Sequence, residues 1–339
     1  MFNKTAALFW AAQGLLTMAG EHRVTQIIPL AGDGGSDALC LDSEARRLYV
    51  ARGNSVVVMD VDSGRFLTTI NDLPGIGGIA VAPAVDRGYV TATADNKVSI
   101  FNLGRFEHLG GIAVGKEPVG IVFDATASRF YTLDRESKTA SAIDPDDGEV
   151  EVTIDLQGRP AGAASDNKGR VFITLDDTGE LAWIDAAVMK LEKKWPLNGC
   201  PSPRAIAMDA ARDRLLISCD KGRIAVVDAG TGRVVSTTET GAQAGGGDIA
   251  VDSGSGTAFV ANRQGSVTVL SETGDGKYKV TGEVHTASGA RVMAFDPKTR
   301  QLFVLSPDAP DQGARPVDAS AKREAAGTPQ STRLLVIHD

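Results

Sequence analysis

Arg47-Leu-Tyr-Val-Ala, Arg87-Gly-Tyr-Val-Thr, Arg129-Phe-Tyr-Thr-Leu, Arg170-Val-Phe-Ile-Thr, Arg214-Leu-Leu-Ile-Ser, Thr257-Ala-Phe-Val-Ala and Gln301-Leu-Phe-Val-Leu are one phrase written seven times. The starts are separated by 40 to 44 residues, the period of a supersecondary repeat. The β-branched and aromatic residues of the phrase suit a buried strand. A small apolar run precedes it, such as Gly78-Ile-Ala-Val or Ala205-Ile-Ala-Met. That run fits a crowded position near an axis, and it usually ends at an Asp: Asp42, Asp124, Asp209, Asp252, Asp296. An alternating third run follows, as in Val56-Val-Val-Met-Asp60 and Ile224-Ala-Val-Val-Asp228. A fourth, outer run closes the unit, as in Val150-Glu-Val-Thr-Ile154. Apolar spacings of three and four, the mark of helical repeats, are missing.

Four strands in about 43 residues make a propeller blade. The expected fold is therefore all-β: a seven-bladed β-propeller of four-stranded antiparallel blades. The seventh unit stops after its third run, Leu334-Leu-Val-Ile-His338. The missing outer strand stands at the front, in Val24-Thr-Gln-Ile-Ile-Pro-Leu30. The last blade is thus expected to be closed by the N-terminal strand. Ser306 to Arg333 lacks apolar periodicity and is rich in Pro, Ala and charge. It reads as a flexible insertion (306–333) within the last blade.

Residues 1–20 carry one charge, Lys4, then an apolar stretch with small residues near Ala19. That pattern predicts a signal peptide, hence a periplasmic or secreted domain over 21–339. No later segment is apolar enough to span a membrane as a helix. Cys200 and Cys219 fall in one repeat, so an oxidising compartment could join them; three separate buried thiols, with Cys40, is the other reading. A net charge of -8 counts against a general nucleic-acid binder, which needs a basic field.

The repeats resemble the YVTN-repeat β-propeller family, also called YncE-like proteins. The carrying phrases are Arg47-Leu-Tyr-Val-Ala, Arg87-Gly-Tyr-Val-Thr, Val98-Ser-Ile-Phe-Asn, Asp228-Ala-Gly-Thr-Gly-Arg-Val-Val and Phe295-Asp-Pro-Lys-Thr, spread over residues 24 to 339. The resemblance implies an exported propeller acting as a binding module. It implies no shared catalytic residues. DNA binding, reported for some members, enters only by this analogy.

Chemical motifs are sparse. There is no G-x-S-x-G elbow, no phosphate loop and no C-x-x-C pair. The histidines (His22, His108, His285, His338) are far apart in sequence. Asp60-Val-Asp-Ser-Gly and Asp144-Pro-Asp-Asp-Gly resemble pieces of calcium loops but read as hairpin turns.

The architecture itself points to the central channel. Aligning the repeats on the Asp that ends the inner run places Asp37, Gly77, Val119, Ala161, Arg204, Gly247 and Arg291 at one level. The next level holds Ala38, Gly78, Gly120, Gly162, Ala205, Asp248 and Val292. Charges at a narrow axis are informative. Asp37 and Arg291 come from blades that meet on closure and are expected to pair. Arg204 and Arg291 together suit an anion; an ion-pair network that merely fills the mouth is the structural alternative. Asp37, Arg204, Asp248 and Arg291 are therefore the candidate ligand-binding residues. The leading reading is a monomeric, non-enzymatic module for a partner protein, glycan or small anion, with no cofactor or metal. A lactonase-type hydrolase or lyase is the alternative. It would need more inward carboxylates than these levels supply, since calcium takes six or more oxygen donors.

Overall fold

The computed structural model describes residues 22–30, 37–241, 247–307 and 332–338. The leader-like segment and most of the 306–333 insertion lie outside the described residues. The chain forms seven antiparallel sheets of four strands each. Their inner strands are Asp37–Asp42, Ile76–Ala82, Pro118–Asp124, Pro160–Ser165, Ile206–Asp209, Ile249–Asp252 and Val292–Asp296, which number blades 1 to 7. Each inner strand packs against the next, and the strand of blade 7 packs against that of blade 1, so the ring is closed.

Closure follows the expected route. Arg23–Leu30 is the outer strand of blade 7, antiparallel to Thr332–His338, with Val24 opposite Ile337, Ile27 opposite Leu335 and Leu30 opposite Thr332. The second strand of that blade runs through Pro307, and Ser306 and Pro307 pair with Arg333 and Thr332. The connecting segment therefore leaves the sheet only after Pro307 and rejoins it at Thr332.

Local chemistry repeats from blade to blade. The residue before the second strand has positive φ in every blade: Arg46, Asp86, Ser128, Gly169, Asp213, Gly256 and Arg300. In blades 1, 3, 6 and 7 the inner-strand Asp offsets this left-handed turn by accepting backbone amides. Asp42 Oδ1, for example, takes the N–H groups of Glu44 and Ala45 at 3.1 and 2.9 Å. The calcium-like phrases are hairpin turns. Asp60 Oδ1 accepts the Ser63 amide at 2.8 Å, and Gly64 takes the positive φ that closes the turn.

Between the third and outer strands the register shifts at one equivalent place in blades 1 to 6, from Val58/Met59 to Val269/Leu270. These bulges add twist, which lets the outer strand lean over its neighbour. The aromatic of the second strand fills the space between blades. Tyr49, Tyr89 and Tyr131 are fully buried. Tyr131 donates to the Ala186 carbonyl in the following blade at 2.8 Å, so at this joint a large apolar body and a satisfied hydroxyl cross together.

Candidate functional site: the channel mouth

The inner strands surround a cavity of about 690 Å³ at the end where they begin. That volume lies within the usual range for small-molecule sites. It is lined by Gly77, Val119, Ala161, Arg204, Gly247 and Arg291 of the first aligned level, and by all seven residues of the second. Asp37 opens the inner strand of blade 1, opposite Arg52. Its side chain is outside the described residues, and so is the expected Asp37–Arg291 pair.

The mouth is not regular strand. In blades 2, 3 and 4 the ladder shifts register here, between Ile76 and Ile79, Pro118 and Ile121, and Pro160 and Gly162. In blades 5, 6 and 7 the residues of interest precede the strand, which starts only at Ile206, Ile249 and Val292. Such irregularities re-aim side chains and are common beside binding sites. Close approach of backbones is the cause in two places. A Cβ on Gly162 would lie 2.3 Å from the Arg204 carbonyl, and one on Gly247 would lie 1.8 Å from the Ala261 carbonyl. Neither position admits a side chain without moving the backbone.

Arg204 is fixed on three sides. Its N–H donates to Ser218 O at 2.9 Å, and its carbonyl accepts the Thr174 hydroxyl of blade 4 at 2.6 Å. Four residues earlier, Cys200 is joined by a disulfide to Cys219, which ends the second strand of the same blade. The Cα atoms are 5.0 Å apart. Cys40 is a free, partly buried thiol whose pKa desolvation pushes up to about 12, so it stays protonated at neutral pH.

Asp248 ties blade 6 to blade 7. Its N–H donates to the Arg291 carbonyl at 3.0 Å. Its carboxylate accepts the amides of Ile249 at 3.0 Å and Met293 at 3.2 Å. Burial raises its pKa to about 6, against the opposing pull of those two amides. Asp248 thus holds the backbone from which Arg291 projects.

Three further charged residues line the cavity: Glu117, Arg135 and Arg263. Arg135 and Arg263 come from turns that an alignment of inner strands does not compare, and Glu117 lies in the bend just before the inner strand of blade 3. Arg135 and Arg263 each follow the second strand of their blade, at one equivalent position, so aligning that position would have shown both. Arg135 is engaged by Asp176 at 2.5 Å and reaches the Pro160 carbonyl at 3.3 Å. Glu117 sits at φ 55, an uncommon conformation for a side-chain-bearing residue, and the Asn96 carboxamide accepts its N–H at 2.8 Å.

The charges are segregated. Arg204, Arg263 and Arg291 come from consecutive blades 5, 6 and 7, are exposed, and form no ion pair among the described residues. Among those residues no three His, Cys, Asp or Glu groups gather as a metal site would require.

No protein-family model matches the chain, and no curated protein matches it. Solved structures do. The chain is similar to U3-55K, with 12% identity over 91% of this chain and 98% of that one and a TM-score of 0.74. It is similar to the RRP9 WD40 repeats, with 11% identity over 92% and 97% and a TM-score of 0.74. Kuenenia stuttgartiensis hydrazine synthase shares 14% identity over 81% and 93%, with a TM-score of 0.71. At these identities the likeness is one of fold. The chain is a seven-bladed β-propeller, an architecture that often serves as a binding or scaffold module. Its channel mouth is lined by Arg204, Arg263 and Arg291 of three consecutive blades.

Proposed function

We propose that the chain is an exported, non-catalytic propeller of the YVTN kind that binds an anionic ligand at its channel mouth. One observation carries the reading. Three arginines from adjacent blades line one cavity, without ion pairs among the described residues, in a chain of net charge -8. Like charges gathered in an acidic protein repel one another, and a bound carboxylate or phosphate relieves that repulsion through charge-assisted, bidentate hydrogen bonds. Export is supported by the leader-like residues 1–20 and by the Cys200–Cys219 disulfide, a bond that persists in oxidising compartments. The YVTN assignment rests on the blade phrases. A lactonase-type site is poorly supported, because the described lining sets two carboxylates, Glu117 and Asp248, against four guanidiniums.

The test is a titration with citrate at constant ionic strength. Wild type binds, and Arg204→Ala with Arg291→Ala weakens binding by roughly 10- to 100-fold, as expected for lost hydrogen bonds to a charged group. Unchanged affinity in the double variant contradicts the reading.

A further inference from the structure

The cavity that holds the arginine arc is amphipathic across its width. Blades 5 to 7 supply Arg204, Arg263 and Arg291, and Asp248 stands with them. Blades 1 to 4 supply a wall of apolar or bare-backbone residues that includes Leu39, Ile79, Val119, Ile121, Leu133 and Ala163. Among the described residues, charge on that wall is confined to Glu117 and to Arg135, which Asp176 engages. The apolar side is not closed off as core, since Leu39, Val119, Ile121 and Ala163 keep part of their surface open.

A small hydrophilic anion would leave that wall wetted. An anion with an apolar body would cover it and gain from every buried methylene. A sugar-like polyanion would meet few donors or acceptors on blades 1, 2 and 4. From this division, and resting on the anion reading above, we propose that the site takes an amphiphilic carboxylate. The acidic head lies on the arginines of blades 5 to 7, and an alkyl or aryl body lies against blades 1 to 4. The third level of inner-strand residues, with Leu39, Ile79, Ile121, Ala163 and Ile206, continues the apolar surface inward, so the body extends along the channel axis.

The experiment is calorimetric titration of the domain with butanoate, hexanoate and octanoate below micellar concentrations, with citrate alongside. At about 0.8 kcal/mol per methylene, affinity rises about fourfold for each added CH2. Arg204→Ala with Arg291→Ala weakens all three acids. Val119→Asn, a change on the open apolar wall, flattens the dependence on chain length. Equal affinity for the three acids, with the arginine variant still impaired, overturns the amphiphile assignment and keeps the anion site. Length dependence that ignores the arginine variant overturns the assignment as non-specific apolar binding. If neither the acids nor citrate bind, the anion reading itself falls, and this proposal with it.

Discussion

Arg46 of blade 1 places its Nη1 2.7 Å from Oδ2 of Asp296 in blade 7, across the seam where the ring closes. Ser43, also of blade 1, donates its hydroxyl to the other carboxylate oxygen at 2.8 Å. The Asp296 side chain is wholly buried. Burial alone would raise its pKa. Hydrogen bonds from Thr299, Ser43 and Arg46 outweigh that effect and hold it below the ordinary carboxylate value.

A carboxylate with a depressed folded pKa stabilises the fold above its ordinary pKa of 3.8, and that stability is lost as pH falls through the lower, folded value. Arg46→Ala is therefore expected to cost about 2 kcal/mol at neutral pH and progressively less in strong acid, where Asp296 is neutral in both proteins. Urea unfolding at pH 7 and pH 3 measures this. An equal cost at both pH values contradicts the role given to the pair.

The N-terminal strand makes a second prediction. Deleting residues through Leu30 bares the edge of Thr332–His338, whose Leu334, Val336 and Ile337 are buried in the intact blade. An uncovered apolar strand edge templates association. The truncated protein should melt lower and elute as oligomers in size exclusion, while deletion of residues 1–21 alone should change neither property.

How much of this was legible beforehand depends on where each residue sits. Every blade carries the Arg-Leu-Tyr-Val phrase or a close variant, because each joint must bury the same strand. The seven sheets and the terminal closure followed from counting those phrases. Arg204 and Arg291 could be placed at the mouth because an inner strand is short, small and ends at a recognisable Asp. Arg263 and Arg135 could not, since they project from turns that the inner-strand alignment never compares. Nor did the alternation of the strands foretell that Arg204, Asp248 and Arg291 precede their strands. Their amides and carbonyls bond to Ser218, Thr174 and one another instead, and sequence periodicity carries no record of such exchanges.

The disulfide links stability to the site. Cys200 and Cys219 are 19 residues apart, and closing a loop of that size is worth roughly 3 kcal/mol through the unfolded chain. Cys200→Ser with Cys219→Ser should lower stability by about that amount in denaturant. Because Cys200 opens the loop that carries Arg204, the same variant should also weaken citrate binding several-fold at temperatures where it remains folded. Full affinity in the folded variant would show that Thr174 and Ser218 suffice to position the arginine.

Asp248 supplies a pH dependence. Its folded pKa of about 6 is above the ordinary 3.8, so the folded protein takes up a proton as pH falls through 6 and the unfolded chain does not. Between pH 8 and pH 5 this group alone makes the fold more stable. Neutralising it also removes a negative charge from the arginine-lined cavity, so anion affinity should rise over the same interval. Asp248→Asn keeps an acceptor for only one of the two amides, because Ile249 and Met293 bond different carboxylate oxygens. It should bind citrate with little change between pH 5 and pH 8, because the group that titrates in that interval is gone. Retention of the wild-type pH profile in Asp248→Asn would assign the effect to another group.

The account stands on the arginine arc as an anion site, and a crystal grown or soaked with bromide examines it most directly. Anomalous scattering is expected from a bromide held by the guanidiniums of Arg204, Arg263 and Arg291, and that peak should vanish in Arg204→Ala with Arg291→Ala. Bromide ordered elsewhere on the surface but absent from the channel mouth, with the three arginines turned onto Glu117 and Asp248, would contradict it.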